Sequence, residues 1–231
     1  MGNLSKMMQR AAAGRPSGGL PADQYFTDFS EYSTGVFPSD WTARLDGFPA
    51  TVETYTGATG GQALVAPMGA GVSGGPHVAE WDEVPHAADV EIVMRARTGD
   101  SGNDGFVYML ARADNLAVDR TSYRGGGRTV SLAAITYLSP SYNQLVAQSV
   151  TGSANEWLWV RFRVNGTSLK VKQWRDVDSE PSAWTAETTD SNLTEAGAAA
   201  LFIWNFEEPE QVIDVFGVGL NGDAAPMTAL G

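Results

Sequence analysis

The clearest order in the chain is an alternation of apolar and polar residues with a period of two. In "DVEIVMRAR", Asp89 to Arg97, residues Val90, Ile92, Met94 and Ala96 fall on one side. Glu91, Val93, Arg95 and Arg97 fall on the other. That period belongs to a β-strand with one covered face. "WLWVRFRV" repeats it, with Trp157, Trp159, Arg161 and Arg163 opposite Leu158, Val160, Phe162 and Val164. Asn165-Gly166 follows, a pair that favours positive φ at both central positions of a type I′ turn. "TSLKVKQW" then returns, with Leu169, Val171 and Gln173 opposite Lys170, Lys172 and Trp174. This predicts a hairpin with an apolar inner face and an outer face where tryptophans meet basic stems.

Shorter runs read as further strands: "TVETY", Ala63–Ala66, "FVYMLARA", "TVSLAAI", "NQLVAQSV", "AAALFIWNF" and "VIDVFGVGL". Roughly ten strands result, bounded by Gly, Pro, Asn and Asp turns. "SYRGGGRT", Ser122 to Thr129, reads as a flexible hairpin tip, and Asp190–Glu195 as a helical turn or loop. No stretch has sustained helical periodicity. The pattern predicts an all-β fold, a two-sheet antiparallel sandwich.

Length and charge narrow the picture. The 231 residues suit one sizeable domain or two small ones, long enough for a real core. The reading divides them into an N-terminal arm (1–21), a sandwich domain (22–221) and a C-terminal tail (222–231). The formal charge is −12, which disfavours direct nucleic-acid binding. Residues 1–20 hold Lys6, Arg10 and Arg15 and no acid, so the arm is positive on a negative body. No apolar run is long enough for a membrane-spanning helix. Cysteine is absent, which excludes disulfides, thiolate nucleophiles and thiolate metal ligands.

The stretches "VRFRVNGTSLKVKQWRD", "EPSAWTAETTDSNLTEAGAAALFIW" and "VIDVFGVG" resemble the laminin-G-like, concanavalin-type jelly-roll domains of tailed-phage virion proteins. "FTDFSEYSTGVFPSDWT" and "DVEIVMRARTGDSGNDGFVYMLARA" extend the resemblance over about residues 25–220. It implies a jelly-roll sandwich with an extended arm, exposed on the particle surface as a capsid decoration or tail accessory protein. The implied partners are other virion proteins and copies of itself; by charge, Lys6, Arg10, Arg15, Arg124 and Arg128 are the candidate contacts to an acidic partner surface. Related sandwiches also serve as carbohydrate-binding modules for host-surface glycans and as glycoside hydrolases.

The candidate chemistry is thin. Hydrolysis needs two positioned carboxylates. Glu80 and Asp82 in "AEWDEVP" share a strand face. The concanavalin-type glucanases place a further glutamate along that face, where this chain has Val84. Glu83 points the other way. No Gly-x-Ser-x-Gly elbow is present. The expectation is therefore a non-enzymatic protein. His77 and His86 are the only histidines, too few for a zinc site by themselves, and read as loop residues. No cofactor is expected, with structural calcium the one option: Asp100, Asn103 and Asp104 in "TGDSGNDG", with "DVDSE" and "SNLTEAG", supply hard oxygens without EF-hand spacing. For sugars, the candidate platforms are Trp159, Trp174 and Trp184, with Tyr137 and Tyr142.

Overall fold

A computed structural model describes residues 23–45, 49–66, 76–98, 106–116, 121–128, 132–138, 141–151, 153, 155–204 and 210–229. Lys6, Arg10 and Arg15, the loop acids Asp100 and Asp104, and Asn103 lie outside them, as does the Arg128 side chain.

Fifteen strands follow one another with no helix among the described residues. They are β1 (Gln24–Thr27), β2 (Trp41–Leu45), β3 (Thr51–Thr54), β4 (Gln62–Ala66) and β5 (Pro76–Trp81). Next come β6 (Val90–Thr98), β7 (Phe106–Asp114), β8 (Thr121–Arg128), β9 (Leu132–Leu138) and β10 (Tyr142–Ser149). β11 (Leu158–Asn165), β12 (Ser168–Arg175), β13 (Ala186–Thr189), β14 (Ala198–Trp204) and β15 (Gln211–Leu220) complete the chain. They form two antiparallel sheets. Sheet A runs β13-β12-β11-β6-β15-β4-β3, with β1 also on β15. Sheet B runs β10-β9-β8-β7-β14-β5-β2. The sandwich is the predicted fold with more, shorter strands than the alternation alone resolves.

The core lies between the sheets and uses the predicted parity. Ile92, Met94 and Ala96 of β6 face Met109 and Ala111 of β7 and Leu201 and Ile203 of β14. Burying a side chain of this size is worth about 1.5–3 kcal/mol. Trp41 and Trp81 stack at 5.5 Å and 8° with Phe216 edge-on to both, which closes one end of the core. Arg112, at φ 50°, draws three loops together by donating to the carbonyls of Ala88, Leu193 and Gly166.

Two local expectations are corrected, and a third is decided between its alternatives. "SYRGGGRT" is no hairpin tip: it supplies β8, inside sheet B between β7 and β9. A Cβ at Gly125 would overlap the Phe162 ring from sheet A, so the glycine admits a large aromatic across the core. The turn after β11 is not type I′. Asn165 pairs with Ser168, and positive φ falls on Gly166, the first central residue, as in a type II′ turn. A turn centred on Asn165-Gly166 would set Trp159 opposite Lys172; the observed one sets it opposite Trp174. Of the two readings of Asp190–Glu195, helical turn or loop, the loop holds. Tyr123 ties that loop down, donating to Asp190 at 2.5 Å and accepting from the Leu193 amide at 3.0 Å. Burial first, then Asp190, pushes the phenol up to about 12.

Candidate functional site

Each sheet has an outer face, and the two are finished differently. On sheet A the outward residues of β6, β11 and β12 form a charged ladder. Glu91, 2% exposed, accepts from Arg161, Arg163 and the Ala225 amide. Arg161 and Lys172 share Glu180 at 2.9 and 2.6 Å. Arg95 bridges Asp176 at 2.8 Å and Asp214 at 2.5 Å, and lies 4.2 Å over the Trp157 ring. Partial burial raises the Asp176 and Glu180 carboxyls, but their hydrogen bonds and cationic neighbours win and hold both below the ordinary range.

Residues 222–229 pack on this face rather than trailing away. Gly217 and Gly219 let the carbonyls of Pro226 and Asp223 approach β15 where a Cβ would block them. Ala225 is 4% exposed, and its carbonyl accepts from Arg161 at 3.1 Å.

The three tryptophans proposed as sugar platforms sit here, and all are engaged. Trp159 donates its indole N–H to Asp176 at 2.7 Å and stacks on Trp174 at 6.1 Å and 10°. Trp174 is 7% exposed. Trp184 is capped by Lys172 at 4.8 Å and Arg163 at 5.2 Å.

The outer face of sheet B is built otherwise. Its registers align one row of side chains across all seven strands: Gln144, Thr136, Arg124, Leu110, Ala200, Glu80 and Thr42. At the usual strand spacing this row is about 29 Å long. Leu110 and Ala200 form its apolar floor with Val78, Tyr108 and Phe202. Arg124 lies 4.3 Å over the Phe202 ring and is 3% exposed, so it is a buried part of this face rather than a projecting partner-binding side chain. At the β10 end stands Tyr142, 55% exposed and the one exposed aromatic among the described residues. Packing raises its phenol pKa, and the Arg124 charge opposes the rise. Tyr137, by contrast, packs on the core against Tyr123 at 5.8 Å.

At the opposite end, Glu80 and Asp82 do share a face. Arg44 contacts Glu80 at 2.7 Å and Asp82 at 4.0 Å, and His86 contacts Glu80 at 3.0 Å. The histidines are therefore not idle loop residues: His86 is a Glu80 partner, and His77 is buried in β5. Glu80–His86 is only six residues apart in sequence, and the turn after β5 closes that spacing. Arg44 was missed, because only sheet pairing brings β2 beside β5.

Among the described residues, no group of three or more His, Asp or Glu is placed to hold a metal. Within "DVDSE", Asp176 and Glu180 already face Arg95, Arg161 and Lys172.

No protein-family model matches the chain, and no curated protein matches it by sequence. Solved structures do match. The carbohydrate-binding module CBM66 from Bacillus subtilis aligns over 82% of this chain and 96% of its own, at TM-score 0.52 and 13% identity. The VIP36 exoplasmic/lumenal domain in its Ca2+/Man3GlcNAc-bound form aligns over 81% of this chain and 86% of its own, at 0.56 and 12%. A Bacteroides ovatus GH16 protein, in complex with the product G4G4G3G, aligns over 84% of this chain and 99% of its own, at 0.55 and 9%. At such identities the likeness establishes the fold: a concanavalin-type jelly-roll sandwich. It carries no residue of those proteins' sites onto this chain.

Proposed function

We propose that the chain is a carbohydrate-binding β-sandwich that holds its glycan on the outer face of sheet B, at the β10 end. The observation that carries this is Tyr142, an exposed ring on a sheet whose other described aromatic side chains are buried or half-buried. A sugar's C–H face stacks on such a ring, and the Gln144 amide on the same face supplies directional hydrogen bonds. The jelly-roll neighbours, sugar binders and a glycan hydrolase among them, support the class. Binding in the millimolar to micromolar range, about −4 to −8 kcal/mol, is expected. A glycan array identifies the ligand, and Tyr142→Ala weakens it at least about tenfold. An array without a hit, or full affinity in that variant, overturns the reading.

A binder is favoured over a hydrolase by the surroundings of Glu80: its two carboxylate oxygens are taken up by Arg44 and His86, and Val84 stands where the glucanases place a further glutamate. The purified chain should release no reducing sugar from the glycans it binds. Turnover lost in Glu80→Gln would reverse this.

The finer placement, on a phage particle with residues 1–21 tying it to neighbouring subunits, rests on the sequence resemblance. Deleting residues 1–21 is expected to leave the fold intact and abolish particle incorporation; normal incorporation would dismiss the arm.

A further inference from the structure

Among the described residues, β13, β3, β10 and β2 end the two strand orders, with β1 beside β15 off the path, and these edges are not protected alike. Sheet edges expose unpaired backbone donors and acceptors, which natural proteins blunt with short strands, charges and bulges. β3 and β13 close sheet A with 4 residues each and carry Glu53 and Glu187. β2 closes sheet B with 5 residues, Arg44 and a register break between Ala43 and Leu45. β10, at the other end of sheet B, has 8 residues and no charge. Indeed no Asp, Glu, Lys or Arg occurs from Thr129 to Asn155. In a chain of net charge −12 this is a neutral strip.

We propose that β10 is a self-association edge, where two copies pair antiparallel about a two-fold axis and join their B sheets into one. The chemistry selects a second copy over another occupant. A two-fold antiparallel pair sets each strand against its own sequence, so charges of a single sign on it would be brought together. β10 has none to repel. A different partner on a negative protein would be steered by opposite charge, and the strip offers none. Leu145 and Val146 pack on the core between the sheets, so the pairing rests on the free backbone groups of the edge, with the uncharged, exposed Asn143, Gln148 and Ser149 beside them. The neighbouring edge strand β13 carries one acid, Glu187, already held by Lys170 at 2.5 Å. One protective device is present, a bulge between Gln144 and Val146. It lies toward the Tyr142 end and leaves Val146–Ser149 in unbroken register with Ile135–Leu132.

The test is sedimentation velocity of the full chain from about 1 to 100 µM, where a pairing of this size would dissociate. A monomer–dimer equilibrium is expected. Asn143 and Gln148 are exposed and lie off the row that contains Gln144. The double variant Asn143→Lys/Gln148→Lys should weaken the dimer at least about tenfold with an unchanged circular dichroism spectrum and thermal midpoint. Mixing it with Asn143→Glu/Gln148→Glu should restore a heterodimer. A monomer at the highest concentration overturns the proposal. So does a dimer that the lysines leave intact. Glycan binding by the lysine variant is independent of either outcome.

Discussion

The outer face of sheet A and the outer face of sheet B come from strands of similar length, yet one is sealed and the other ends in exposed groups. On sheet A nearly every outward charge has an opposite within hydrogen-bonding distance, and the C-terminal segment lies across the remaining gap. On sheet B the centre is apolar and buried, while the two ends of its cross-strand row reach solvent at Tyr142 and at the Arg44–Glu80–His86 cluster. A density of tryptophan and arginine is therefore a poor guide to a binding face. Both residue types satisfy each other first, and the solvent-facing aromatic turns up where few charges compete for it.

The difference can be broken most forcefully at Glu91. Glu91→Ala leaves Arg161 buried without its main counter-charge, so unfolding free energy should fall by about 3–5 kcal/mol in urea titrations. A loss below about 1 kcal/mol would mean that the ladder does not hold face A. Next comes Gly217→Ala, whose Cβ overlaps the Pro226 carbonyl. It should cost about 1–3 kcal/mol and expose residues 222–229 to proteases, read by mass spectrometry of the cleaved chain. Uncleaved protein would show that the segment can shift without letting go.

Acid probes the same face more gently. The folded pKa values of Asp176 and Glu180 lie below their ordinary ones, so the stability they add is complete above the ordinary carboxylate range and is lost as pH falls through the depressed values. The urea midpoint should therefore drop below about pH 4. Arg95→Met should flatten the part of that slope due to Asp176; an unaltered profile would detach Asp176 from it. On sheet B, Tyr142→Ala should leave stability within about 0.5 kcal/mol while glycan affinity falls about tenfold. Smallest of all, Trp184→Ala should leave glycan affinity within about twofold, because its ring is already capped by Lys172 and Arg163. A large loss there would move the site to sheet A.

The strands were legible wherever one face is buried and the other is polar. β6, β11 and β12 follow the alternation residue by residue, because a period of two sends successive side chains to opposite faces. β8 was not legible. Its three successive glycines mimic a turn, and only the Phe162 ring arriving from the other sheet explains them. The hairpin after β11 was legible as a hairpin but not in its register, since Asn165-Gly166 and Gly166-Thr167 are both competent two-residue turns, and the Trp159–Trp174 stack goes with the second. At the candidate site, Tyr142 was legible as one of several aromatics. That it alone stays exposed was not, since exposure depends on what else packs nearby.

The sequence alone determined what is local: strands, their inward faces, the absence of cysteine chemistry and the uncharged run around β10. These depend on periodicity and composition, which neighbours in space do not alter. Tertiary structure alone decided which charges cancel, which tryptophans are covered and that Gln144 and Thr42 end one continuous row. Those outcomes depend on pairings between strands far apart in the chain. Such pairings are fixed by core burial rather than by the side chains they happen to bring together on the outer faces.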